Sequence, residues 1–110
     1  MITEASADRV WTGGICGETT LLLERTCYAC PEQYDVCTTD GVQVGYLRLR
    51  HGWFTADMPD SGGETIYEAQ PNGDGIFTDE NERDRYLNEA CGVIARHVRL
   101  ARRLKSGERP

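Results

Sequence analysis

Val42-Gln43-Val44-Gly45-Tyr46-Leu47-Arg48-Leu49-Arg50-His51-Gly52-Trp53-Phe54-Thr55-Ala56-Asp57-Met58 carries the clearest structural pattern in the chain. Apolar and polar side chains alternate on both sides of His51-Gly52, a connection of hairpin length, so residues 42–50 and 53–58 read as two antiparallel strands. With that loop, Arg50 faces Trp53, Leu49 faces Phe54, Arg48 faces Thr55, Leu47 faces Ala56 and Tyr46 faces Asp57. One face then carries Leu47, Leu49, Phe54 and Ala56, a core surface. The other carries Tyr46, Arg48, Arg50, Trp53, Thr55 and Asp57.

Upstream, residues 19–26 hold Leu21-Leu22-Leu23 and read as a partly buried strand. Residues 32–38 alternate Tyr34 and Val36 with polar neighbours and read as the next, and Asp40-Gly41 marks the hairpin that follows. Downstream, residues 64–69 form a further strand, and Pro71-Asn72-Gly73-Asp74-Gly75 breaks the alternation. Beyond it the apolar period changes from two to about 3.6. Asp79-Glu80-Asn81-Glu82 supplies a capping box and an acidic first turn for a helix over residues 79–104. Its apolar stripe is Leu87, Ala90, Cys91, Ile94, Val98, Ala101 and Leu104, and Ser106-Gly107 ends it. Trp11-Thr12-Gly13-Gly14 and Ser61-Gly62-Gly63 lack the lysine or helix start of a phosphate loop and read as turns.

The expected fold class is therefore α+β. An antiparallel meander of about five strands, within residues 16–69, is covered on one face by a single long C-terminal amphipathic helix. The 110 residues are expected to form one domain, with residues 1–8 and 105–110 as flexible tails.

No apolar run approaches the length that crosses a bilayer, and the N-terminus, with Glu4 and Asp8, lacks the basic and apolar regions of a signal peptide. A cytoplasmic location is expected. The five cysteines are then thiols or metal ligands before they are disulfides. A net charge of -6 argues against direct nucleic-acid binding, although its distribution is polarised. Residues 55–89 hold ten acids and two bases, and residues 90–110 hold six bases and one acid.

The sharpest chemical motif is Cys27-Tyr28-Ala29-Cys30-Pro31, a C-x-x-C turn. The strand order expected above returns His51 and Asp74 to the same end of the sheet, while Cys16 and Cys37 fall at the other. A zinc site would thus use Cys27, Cys30 and His51, with Asp74 or water as fourth ligand. The turn joins two strands and does not open a helix, which disfavours a thioredoxin-like redox role. Catalytic groups are sparse, because the only two histidines, His51 and His97, stand on separate elements and nothing supplies an orienting third group.

Arginines interleaved with aromatic rings are typical of recognition surfaces. The leading expectation is a small cytosolic binding module, a regulator or inhibitor of the compact kind common in bacteria and phages. It would act on a protein partner, or on itself as a dimer, through Tyr46, Arg48, Arg50, Trp53, Thr55 and Asp57. Two alternatives stand beside it: a zinc-stabilised module built on the cysteine turn, and a binder of a small phosphorylated ligand through Arg48 and Arg50.

Overall fold

The computed structural model describes residues 9–13, 19–27 and 31–105, with side chains described for residues 10–13, 19–27 and 31–101. Six strands and one helix follow in chain order: β1 (Arg9–Gly13), β2 (Thr19–Cys27), β3 (Glu32–Thr38), β4 (Gln43–Arg50), β5 (Trp53–Met58), β6 (Glu64–Ala69) and α1 (Glu80–Lys105). Each strand pairs antiparallel with the next, so the sheet is a meander in sequence order with α1 packed on one face. This is an α+β fold.

The sheet has six strands rather than about five, and it begins at residue 9 rather than 16. The added strand, β1, includes Trp11, Thr12 and Gly13 of the segment expected to be a turn. Five residues are too few for alternation to stand out against Gly13-Gly14, and the strand is held by its register on β2, where Trp11 lies opposite Leu21. The helix runs through Lys105, within the segment expected as a tail; residues 1–8 and 106–110 lie outside the described residues.

The β4–β5 register is the expected one, from Tyr46 opposite Asp57 to Arg50 opposite Trp53. His51 (φ 55°) and Gly52 (φ 79°) both adopt the left-handed conformation, the requirement of a two-residue hairpin turn that follows the strand twist. Leu47, Leu49, Phe54, Ala56, Tyr34 and Val36 are buried beneath Leu87, Ala90, Cys91, Ile94 and Val98. Gly45 lets the helix settle, since a Cβ there would lie 2.7 Å from Ile94 Cδ1. Ala101 is exposed, against expectation, and the Leu104 side chain lies outside the described residues. A helix of 26 residues is about 39 Å long, whereas the longest strand, of nine residues, spans about 30 Å, so the stripe outruns the sheet.

At its N-terminus the helix is tied down by more than a capping box. Asp79 Oδ1 accepts the Glu82 N–H (2.8 Å), as expected of an N-cap, but the Glu82 carboxylate accepts from the N–H groups of Thr78 (2.7 Å) and Asn72 (2.5 Å). The box is thus half formed, and its second half holds the 71–78 loop. Beneath that loop Glu32 is fully buried. It receives Arg83 Nε (2.7 Å), the Tyr34 hydroxyl (2.7 Å) and the Phe77 N–H (3.2 Å), joining β3, the loop and α1 at one point. Phe77 packs edge-on to Phe54 (5.1 Å between centroids) and stacks on Tyr86.

Candidate functional site

The helix covers one face of the sheet, and strand register assigns the residues of the other. One cross-strand row runs Gln33, Arg48, Thr55 and Glu68, and the neighbouring row runs Glu24, Asp35, Tyr46 and Asp57, with Thr65 opposite Asp57. A third row brings Val10, Leu22 and Cys37 together. All six residues expected to bind a partner (Tyr46, Arg48, Arg50, Trp53, Thr55 and Asp57) therefore lie on the uncovered face.

Geometry divides them into two groups. Arg48, Arg50, Trp53 and Thr55 line a shallow depression of about 240 Å³ at the hairpin tip, and His51 completes it. Trp53 is 46% exposed there, a large apolar surface beside two guanidinium groups. Tyr46 and Asp57 stand one row away, where Asp35 accepts from Gln43 Nε2 (3.2 Å) and Asp57 from the Thr65 hydroxyl (2.7 Å). The face is thus bipolar, with cations and an indole at the tip and carboxylates across its middle. Burial pushes the Tyr46 phenol upward, against the charge and hydrogen bond of Arg48, so it stays a neutral donor at physiological pH.

Glu24, Asp35 and Cys37 join this surface through the register of β2 and β3, and sequence reading did not include them. The signal is alternation: Asp35 and Cys37 interleave Tyr34 and Val36, which are buried in the core. Burial and the carboxylates of Asp35 and Glu24 raise the Cys37 thiol, which disfavours its thiolate and makes it a poor nucleophile. Cys27 and Cys37 are free thiols, and Cys91 is buried in the core as expected.

The structure brings together part of the expected zinc set. The Gly52 N–H donates to the Asp74 carbonyl (2.7 Å), so the 72–75 loop does meet the His51-Gly52 turn. Cys27 lies opposite Gln33 after a β-bulge, in the row that leads to Arg48. Cys30, like Tyr28 and Cys16, lies outside the described residues. Among the described residues no three of His, Cys, Asp or Glu converge as a group able to hold a metal ion. His97 is exposed on the helix, with Nδ1 2.9 Å from the Val93 carbonyl oxygen. No helix of the described residues is long and apolar enough to cross a membrane. No protein-family model matches this chain, and neither the curated proteins nor the solved structures contain a match.

Proposed function

We propose that this protein is a binding module of the cytosol, a regulator or inhibitor that docks on a protein partner through the uncovered face of its sheet. The observation that carries this reading is Trp53, 46% exposed, opposite Arg50 on the neighbouring strand and lining the depression together with Arg48 and Arg50. Tryptophan and arginine dominate the energetics of protein interfaces, because both bury large areas while keeping directed polar groups. The partner surface would present carboxylates to Arg48 and Arg50 and basic groups to Glu24, Asp35 and Asp57, an arrangement that fixes orientation. The free thiols of Cys27 and Cys37 suit a reducing compartment.

The test compares wild type with Trp53→Ala and Arg50→Glu, at two exposed positions outside the buried core. Cross-linking in cells, followed by sedimentation of the purified chain with the captured protein, should show a partner held by wild type and lost by both variants. A homodimer broken by both would redirect the reading to self-association. Identical cross-links and sedimentation for all three proteins would overturn it.

The depression also favours a second reading, capture of a small phosphorylated ligand by Arg48, Arg50 and His51 against the Trp53 indole. Nucleotides and sugar phosphates should then raise the melting temperature of wild type and leave that of Arg50→Glu unmoved.

A further inference from the structure

On the helix side of the sheet, remote from the Trp53 face, a groove of about 240 Å³ runs between Trp11 of β1 and the flank of α1 that carries Glu89, Gly92, Arg96 and Arg99. Three independent observations meet in it. Arg99 Nη1 is buried without a hydrogen-bond partner, the one such side-chain nitrogen or oxygen among the described residues. A guanidinium nitrogen so placed has given up its hydration and receives nothing in exchange from those residues, the condition that an incoming acceptor relieves.

The second observation is Gly92. Glycine is the poorest helix former after proline, yet a Cβ at this position would meet nothing within 4 Å, so packing does not demand it. Its effect is to keep the groove floor low enough for another molecule to approach the helix backbone. The third is the Trp11 ring, which lies across Gly13, its atoms 3.0 and 3.1 Å from where a Cβ would stand. The indole is thereby held as a flat apolar wall. Glu89 is the only acid in the lining, and its carboxylate already accepts from the Tyr67 hydroxyl (2.6 Å) and Arg85 (3.5 Å), which leaves the charges of Arg96 and Arg99 to the groove.

We infer that this groove binds a small aromatic oxyanion, a phosphate monoester or carboxylate on a single ring, with the anionic group on Arg99 and Arg96 and the ring against Trp11. Guanidinium groups match carboxylate and phosphate geometry, and the indole offers a stacking face. The volume lies below the roughly 300–1,000 Å³ of drug-sized sites, which suits one ring and its acidic group and excludes a dinucleotide.

The test is carried out on the full chain bearing Trp53→Phe, in which Trp11 is the only tryptophan, with phenyl phosphate, benzoate and inorganic phosphate as probes. Phenyl phosphate or benzoate should shift the Trp11 indole N–H resonance saturably, and inorganic phosphate should bind at least tenfold more weakly. Arg99→Gln should weaken binding at least tenfold. Gly92→Ala should raise the melting temperature of the free protein and still weaken binding severalfold, a combination that a purely structural role for this flank would not produce. No saturable shift with either aromatic probe overturns the inference, as does binding that survives in both folded variants.

Discussion

Replacing Arg83 by methionine probes how the helix is tied to the sheet. Glu32 has a side chain with no solvent exposure, and Arg83 reaches it with Nε at 2.7 Å and Nη2 at 3.3 Å. Removing one partner of a buried ion pair costs about 3–5 kcal/mol, because the remaining charge is left desolvated. Here Tyr34, the Phe77 N–H and Arg25 (3.6 Å) continue to serve the carboxylate, which places the loss near the lower end, about 3 kcal/mol. At a slope of about 1.5 kcal/mol per molar urea, the unfolding midpoint should fall by about 2 M. Burial alone would raise the Glu32 carboxyl, but hydrogen bonds from Arg83, Tyr34 and Phe77, with the Arg83 charge, bring it below its ordinary value of 4.5. A group depressed in the folded state contributes its stability fully above the unfolded value and loses it as pH falls through the folded one. The gap between wild type and Arg83→Met should thus be flat at neutral pH and narrow below pH 4.5. A midpoint change under about 0.5 M, or a gap indifferent to acid, would refute the reasoning and assign the anchoring of the helix to the 71–78 loop alone.

Gly73→Ala should destabilise by about 2 kcal/mol or more, seen as a lower thermal midpoint, because its Cβ would sit 1.9 Å from the Ile76 carbonyl oxygen and backbone cannot yield as a side chain does. Cys37 should react with iodoacetamide more slowly at neutral pH than an unhindered thiol, and Glu24→Gln should speed it, since burial, Asp35 and Glu24 all raise that thiol. His51→Asn should raise stability by about 0.5 kcal/mol in urea titration, since an exposed residue at φ 55° before a glycine suits asparagine better than histidine.

The hairpin and the helix were legible because each repeats one rule often enough to outvote local exceptions. Leu47 and Leu49 stand two apart before the His51-Gly52 loop and Phe54 and Ala56 two apart after it, and that spacing with a two-residue loop recovers the observed register and separates these buried residues from the Trp53 face. β1 was not legible, since five residues ending in glycine carry less pattern than the pairing with β2 that stabilises them. The Glu32–Arg83 pair could have been found. Glu32 stands two before Tyr34 on the strand face assigned to the core, and Arg83 stands four before Leu87 on the helix stripe. Opposite charges at two core positions imply that they meet. What no pattern carries is how far apart loops end up, so the depression at the hairpin tip, completed by His51, emerges only from the packed structure.

Sheet width explains why the missed strand matters for function. At about 4.8 Å between neighbours, six strands span about 24 Å, whereas one helix with its side chains is about 10–12 Å across. The helix reaches strands at both edges of the sheet, and the spaces along its two flanks are occupied differently. Over β5 the 71–78 loop inserts Phe77 beside Phe54 and closes the layer. At β1 the indole of Trp11 stands across a groove from Gly92, Arg96 and Arg99, and among the described residues none fills it as Phe77 fills the other flank. A five-stranded sheet without β1 would be about 5 Å narrower and would offer no wall opposite that flank of the helix. The groove is thus a product of the added strand, which brings an aromatic surface to face Arg96 and Arg99.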